Sequence, residues 1–486
     1  LSQKAIIIGS GIAGIASAIR LANKGFAVDV YEANPYPGGK LTVLELGAYR
    51  FDAGPSLFTM PHLVEELFEL SGKDPKDYFA YQRCETVCHY FFEDGTFLPF
   101  SASKTELYKQ IAQTLQVDPG PLQKHYDRSA LIYNATYSAF LERSLHRFSS
   151  YLSGAILKCV AHIPWLNLFT TMHKANAKAL NHPKLVQIFD RYATYNGSNP
   201  YLAPGILNII PHLEQEIGTF FPLKGMHSIT TSLVKLAEDL GVRFHLNQKV
   251  DEILTESGSV KGIRIGETSV AANVVVCNSD IKPAYKNLLP REKLAPKTLQ
   301  QEPSSSAMIF YWGIRHTFAQ LDLHNIFFSD DYQQEFKAIF EAQSVSDDPT
   351  IYVHISSKLI PGDAPDGGEN WFVMVNVPAN SGQDWEMLRG KIRANVLQKL
   401  SRMLNTDVES LIEAEDYLDP VRIESRTSSH AGALYGASSN DRMAAFFRHP
   451  NFSKIKGLYF AGGSVHPGGG IPLCLLSARI ATDLVK

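Results

Sequence analysis

The first apolar run of the chain, "AIIIG", is short, β-branched and closed by glycine, the pattern of a strand buried on both faces of a parallel sheet. The next stretch, "IASAIRLANKG", changes period. Its apolar residues recur at helical spacing, and Gly25 stands where a helix would stop. "FAVDVYE" returns to a strand. Further along, "GMHSITTSLVKLAEDLGVRFHLNQKVDEILTESGSVKGIRIG" reads as helix, strand and hairpin, and "SVAANVVVCNSD" as a strand ending in an Asn/Ser/Asp turn. "YFFEDGTFLPF" predicts a second hairpin with Asp94-Gly95 as a type I′ turn. Near the C-terminus, "LYFAG" is a strand and "GGGIPLCLLSARIATDLV" a glycine-rich turn leading into a helix.

The chemistry sits at the junctions of these elements. Gly9, Gly11 and Gly14 occupy G-x-G-x-x-G spacing between the first strand and helix, and Glu32 closes the second strand. Gly9 permits the tight turn, Gly11 lets backbone approach a pyrophosphate, and Gly14 lets helix and strand pack closely. The helix N-terminus offers free N–H groups and a positive dipole end to the phosphates, and Glu32 accepts from ribose hydroxyls. Glycines alone are weak evidence; strand, glycines, helix, strand and acid in that order predict a dinucleotide site.

The continuation "ANPYPGGKLTVLELGAYRFDAGPSLF" separates the possible cofactors. Gly38, Gly39 and Lys40 make a second glycine-rich bend, and Asp52, Gly54 and Pro55 a further tight loop. Two backbone loops after the ribose acid suit a ligand longer than a nicotinamide dinucleotide, one with a ribityl chain and a flavin ring. This part resembles the glutathione-reductase-like flavoproteins, in which G-G-[RK] lies along FAD. At the other end Gly462, Gly463 and the run Gly468, Gly469, Gly470, Ile471 place a helix N-terminus where charge develops on a reduced flavin. Val250 begins the stretch expected to bring backbone to the adenine. The FAD domain is therefore expected to be a discontinuous Rossmann-like α/β unit made of residues 1–75, 215–295 and 415–486. Residues 76–214 and 296–414 form an inserted, mixed α+β substrate domain.

The pieces quoted above, together with "FDAGPS", "PGGK", "VVVCNSD" and above all "FAGGSVHPGGGIPLCLLSAR", resemble the phytoene-desaturase-type carotenoid desaturases. "RYATYNGSNPYLAPGILNIIPHLEQEIGTFFP" is most similar to the bacterial 1-hydroxycarotenoid 3,4-desaturase branch. Two departures stand out: Gly225-Met226 where the family often has Gly-Gly, and Val465 where it has Thr before His-Pro. The resemblance implies FAD as cofactor, a carotenoid as substrate, oxygen or a quinone as electron acceptor, and a cytoplasmic protein peripherally attached to a membrane. Desaturation removes a hydride and a proton from adjacent carbons. Conjugation spreads the cation, so the protein mainly orients an apolar chain and excludes water. The polar candidates near the ring are Asp52, Glu214, His227 and His466, the last three as catalytic groups. Glu214 in "IIPHLEQEIG" has two readings: buried, it becomes a working base; beside Gln215 and Glu216 on a solvated helix face, it does nothing. Rivals are an amine or protoporphyrinogen oxidase, a carotenoid cis–trans isomerase, phytoene or diapophytoene desaturation, and a flavin- or NAD-binding regulatory module.

Composition narrows the setting. At 486 residues, 45% hydrophobic, 20% charged and net charge −3, the chain is an ordinary globular one with no signal for a nucleic-acid partner. Its 27 Phe and 21 Tyr can fill a core or line a large apolar cavity. Five scattered cysteines give no disulfide framework, and Cys84, Cys88 and His89 lack the second pair that a zinc site needs. No metal site is expected, nor a secretory signal before Lys4. "YLSGAILKCVAHIPWLNLFTTMH" (151–173) comes nearest to a membrane segment, but Lys158, His162 and Pro164 interrupt it. It is either a buried helical hairpin or a surface element dipping Trp165 and Phe169 into a membrane.

Overall fold

A computed structural model of the chain describes residues 3–290, 297–441 and 447–486. At its centre is a five-stranded sheet in the order Leu458–Phe460, Val274–Cys277, Lys4–Ile8, Ala27–Tyr31, Arg243–His245, parallel throughout. The near-continuous apolar runs of its inner strands follow from burial on both faces. Helices Ile12–Asn23, His227–Asp239 and Ile471–Asp483 join the core on one face. Gly25, with φ +86°, follows the first helix as expected. Strands from three distant parts of the chain make one sheet, which is the discontinuous Rossmann-like α/β arrangement anticipated from the motifs.

A second, seven-stranded sheet runs Ile412–Leu418, Ser306–Ile314, Glu369–Val377, Ile351–Ile355, His324–Phe327, Thr86–Phe91, Phe97–Ser101. All its pairs are antiparallel except His324–Phe327 with Thr86–Phe91. Successive side chains take opposite faces. Met308, Phe310, Trp312, Trp371, Val373, Val375, Ile351 and Val353 pack towards the helix Trp385–Leu404. The alternate residues Ile309, Phe372, Met374, Tyr352, His324 and Ile326 face the other way and form one wall of a large cavity. Helices Lys104–Leu115, Gly120–Thr136 and Pro183–Asp190 pack beside this sheet.

Two local expectations change, and one open alternative is decided. The segment "SVAANVVVCNSD" is not one strand: Thr268–Ala271 belongs to a three-stranded antiparallel sheet and Val274–Cys277 to the parallel one. Asn273 makes the break, its backbone donating to Lys4 and its side chain accepting from the Lys4 N–H. The Phe91–Phe97 hairpin has a three-residue loop in which Gly95 has φ +82° and Asp94 does not join it at positive φ. The Phe92 carbonyl accepts from Gly95, so the turn is type I followed by a glycine bulge rather than type I′. The segment around 151–173 is no buried hairpin: helices Phe148–Tyr151 and Gly154–Ala161 lie on the surface, with Phe148 79% and Phe169 80% exposed. As to the expected division, position 414/415 falls inside the edge strand Ile412–Leu418 of the larger sheet, and position 295/296 lies outside the described residues.

Candidate active site

A cavity of about 850 Å³ runs between the two sheets. That is at the upper end for single-ligand sites, as a dinucleotide and a long apolar chain together would require. One end is built by the first strand, glycine turn and helix. Gly14 is fixed by contact: a Cβ there would lie 2.2 Å from the Gly9 carbonyl oxygen, and that backbone cannot yield. The helix begins at Gly11 without a side-chain cap, so its first N–H groups are left for a ligand. Gly9, Gly11, Ile12 and Ala13 all line the cavity.

Glu32 stands at the edge of this end. Its carboxylate accepts from the Ser10 N–H and hydroxyl, both at 2.8 Å, and from the Asn34 N–H and side-chain amide, both at 2.9 Å. The two backbone donors fix the carboxylate; the two side-chain donors are those that ribose hydroxyls can replace. Val250 lines the same end. Asn278, which the motifs did not single out, ties the glycine segments together. Its backbone donates to Ile8 and its side chain to the Ala461 carbonyl at 2.7 Å. Its turn was legible as "CNSD", its role was not.

The middle of the cavity is formed by Gly39, Lys40, Gly54, Pro55 and Ser56 on one side and Gly469, Gly470 and Ile471 on the other. A Cβ on Gly54 would lie 1.7 Å from the Lys40 carbonyl oxygen, so the two loops meet backbone to backbone. The Lys40 ammonium donates to the carbonyls of Ala433 (3.2 Å) and Leu434 (2.8 Å), and burial pulls its pKa below the usual lysine value. The C-terminal helix begins at Gly470, again uncapped by any side chain. Two uncapped helix N-termini therefore open onto one cavity. Uncapped N–H groups, backbone-only approach and a ribose acid are what a flavin dinucleotide needs, and these residues fit it.

Four of the expected site residues stand behind the wall instead of on it. Gly14 acts through packing. Asp52 caps the helix His227–Asp239, accepting from Met226 N–H at 2.7 Å and His227 N–H at 3.0 Å, and pairs with Arg50 at 3.0 Å. His227 is thereby held at that helix start, off the cavity wall, and burial pulls its pKa down. The N–H of Gly462 donates to the Ser477 hydroxyl.

Of the expected catalytic side chains, Glu214 and His466 line the cavity. Glu214 lies in a short π-helical turn, His212–Ile217, and is buried together with Gln215, so the solvated-face reading does not hold. It accepts from Tyr195 at 2.5 Å, from Tyr192, and from the Arg191 guanidinium at 3.3 Å. His466 donates from Nε2 to the Arg143 carbonyl at 2.8 Å, and burial pushes its pKa down to about 4, so the ring is neutral. Arg191, Tyr195, His324, Tyr352 and Arg448 also line the cavity and escaped sequence reading, because no local pattern marks them. Arg448 donates to the carbonyls of Tyr435, Ala437 and Gly463, and burial lowers it to about 10.

Comparison with known proteins agrees with this geometry. A family model described as flavin containing amine oxidoreductase matches residues 12–486. The chain is 52% identical over 484 residues to a 1-hydroxycarotenoid 3,4-desaturase of Flavobacterium sp. (strain P99-3), covering 99% of both. It is 32% identical over 495 residues to a 4,4'-diapolycopene oxygenase of Methylomonas sp, covering 100% of this chain and 98% of that one. Among solved structures, cyclohexylamine oxidase from Brevibacterium oxydans superposes with a TM-score of 0.63 at 16% identity, covering 99% of this chain and 98% of that one. Putrescine oxidase bound to putrescine gives 0.63 at 13% identity over the same shares. At that identity these two speak for the fold alone.

Proposed function

The chain belongs to the flavin-containing amine oxidoreductases, and within them we propose that it is an FAD-dependent carotenoid desaturase extending the conjugation of a 1-hydroxycarotenoid at its 3,4 bond. The observation that carries this reading is full-length identity to a desaturase of that name, well above the identity to the oxygenases. The cavity supports it: Ile206, Ile210, Leu213, Ile309, Phe372 and Met374 give the part beyond the flavin loops an apolar wall suited to a polyene. FAD, when bound, supplies the two-electron acceptor for a hydride. The residues of the chain hold the substrate carbon against it, keep water out and take the neighbouring proton. His466 suits the last task, being neutral, on the wall and beside the Gly469–Ile471 turn. Glu214, already engaged by Arg191, acts as a positioning residue. Reoxidation falls to oxygen or a quinone.

A carotenoid is too apolar to travel free in water, so the protein meets it at a membrane surface. Among the described residues no helix is long and apolar enough to cross a membrane. The surface segment 148–169 instead presents Phe148, Leu152, Leu157, Trp165 and Phe169 outward. No Asp or Glu occurs between Glu142 and Asp190, whereas Arg143, Arg147, Lys158, Lys174 and Lys178 do and are exposed, a charge pattern suited to anionic lipid. Leu141 and Leu145, just before this segment, line the cavity, so the patch leads to the site.

The test is anaerobic incubation of FAD-loaded protein with hydroxylated and unhydroxylated carotenoids in liposomes. Flavin bleaching together with a red shift of the polyene is the expected result. No bleaching with either carotenoid, despite bound oxidised FAD, overturns the reading in favour of an amine substrate.

A further inference from the structure

One wall of the apolar cavity carries a chain of three polar groups. The Ser56 hydroxyl lies 2.8 Å from the Tyr352 hydroxyl, which lies 2.7 Å from Nδ1 of His324. All three residues line the cavity. They come from three places: Ser56 follows the Gly54-Pro55 loop, Tyr352 sits on the strand Ile351–Ile355, and His324 on its neighbour His324–Phe327. The period of two along these strands turns Tyr352 and His324 to the cavity while Ile351, Val353 and Phe327 face the opposite core.

The hydrogen bonds of this chain do not close among the described residues. If Tyr352 donates to Ser56, then His324 donates from Nδ1 to Tyr352, and the Ser56 proton and the lone pair on Nε2 have no partner. If Ser56 donates to Tyr352, then Tyr352 donates to Nδ1, and His324 carries its proton on an unpartnered Nε2. Either way one donor stays free at one end of the chain and an acceptor at the other. His324 is 3% exposed and Ser56 9%, so water is not freely available to either, and a buried polar group without a partner is costly. In the neighbouring Arg191–Glu214–Tyr195 cluster, by contrast, both carboxylate oxygens of Glu214 have a donor, from Arg191 and from Tyr195.

Resting on the desaturase reading above, we propose that the Ser56–Tyr352–His324 chain is a hydroxyl-reading subsite that distinguishes hydroxylated from unhydroxylated carotenoid ends. A substrate hydroxyl is both donor and acceptor, so it pairs with the Ser56 end of the chain whichever way its protons run. The placement fits the chemistry. In a 1-hydroxy chain the oxygen is three bonds of about 1.5 Å from carbon 3, so it must bind within roughly 4 Å of a reacting carbon. A reader of that hydroxyl belongs beside the flavin loop, not at the far end of the cavity, and Ser56 is two residues from Gly54. A site built around a hydroxyl rejects the analogue lacking it because its own polar groups are then left unpaired.

The experiment measures kcat/KM for a 1-hydroxycarotenoid and for the same carotenoid without the hydroxyl, using FAD-loaded protein in liposomes. The wild type is expected to prefer the hydroxylated chain. In Ser56→Ala and Tyr352→Phe that preference falls about 10- to 100-fold. Ser56→Thr, which keeps the hydroxyl, retains it. Should Ser56→Ala load FAD poorly, Tyr352→Phe keeps the ring and tests the same chain. A wild type that turns over both chains without preference, or a preference unchanged in both variants, overturns the subsite and leaves the desaturase reading standing. Turnover of neither chain overturns that reading, and the subsite with it.

Discussion

Arg191 donates to Glu214 across 3.3 Å where the two side chains are only 7% and 3% exposed. The same guanidinium donates to the hydroxyls of Tyr90 at 2.7 Å and Tyr195 at 2.9 Å, and its plane lies over the rings of Tyr90, Tyr192 and Tyr195. Among the described residues the Glu214 carboxylate is thus the negative partner of a charge sunk into an apolar wall, and the aromatic faces complete its surroundings.

Glu214→Gln leaves that charge uncompensated, and the expected cost is about 3–5 kcal/mol of folding stability. Calorimetry of the FAD-loaded protein checks this as a lowered unfolding midpoint. Turnover is expected to fall as well. The double variant Arg191→Met/Glu214→Gln removes both charges and regains most of the stability. If its turnover stays low, the cluster positions substrate; if turnover returns with stability, Glu214 serves the fold alone.

Gly14→Ala places a methyl 2.2 Å from the Gly9 carbonyl oxygen and 3.0 Å from the Asn278 side chain. The first helix must then move off the strand that aims its N-terminus at the cavity. The expected result is purified protein with little bound FAD, read from flavin absorbance per chain. Gly25→Ala is the control for a glycine substitution outside the site: nothing lies within 4 Å of a Cβ there, although φ +86° strains it. It is expected to lower stability by roughly 1 kcal/mol and keep its FAD.

The nucleotide end was legible because its information is local. One strand, three glycines, a helix and an acid follow one another within Lys4–Glu32, and each demands a residue type that sequence displays. The cavity wall was not legible, because its residues meet only through the fold. Ser56 reaches Tyr352 across nearly 300 positions, and Tyr90 reaches Arg191 from another sheet strand. The acidic "EQE" run admits both a buried and a solvated reading in sequence; only the π-helical turn decides it, burying Glu214 and Gln215 and leaving Glu216 to pair with Lys104. His227 and Asp52 stood near the motifs in sequence but serve a helix start. Asp94-Gly95 showed its turn but not its loop length, since Phe91 and Phe97 set the register.

The surface patch predicts lipid binding. Leu157→Asp with Phe169→Asp puts two charges into an apolar face that is 70% and 80% exposed at these positions. Flotation with anionic liposomes is expected to fall by tenfold or more, while FAD content and unfolding midpoint stay unchanged because neither side chain is packed. Replacing Lys158 and Arg147 by Gln should make the remaining binding less sensitive to salt, as fewer surface charges meet the lipid. Undiminished flotation of the double Asp variant would remove the patch from the membrane account.

Buried histidines set the acid limit of the fold. Burial pushes His125, His354, His449 and His466 each down to about 4, and holds His324 well below its ordinary value. Unfolded, an imidazole titrates near 6.5. Between those values the unfolded chain takes up protons that the folded chain refuses, so acidification favours unfolding. The stability is whole above about pH 6.5 and is lost as pH falls towards 4, by at most about 1.4 kcal/mol per pH unit for each such histidine. Denaturant titrations at pH 7.5, 6.5 and 5.5 check the sign, in a range where the carboxylates contribute little. The expected course is nearly level over the first step and steep over the second. His125 has desolvation as its one cause of shift and faces Phe189 edge-on. His125→Phe, apolar at every pH, should therefore flatten the second step by about the share of one histidine; an unchanged slope would mean that these rings keep their protons in the folded protein.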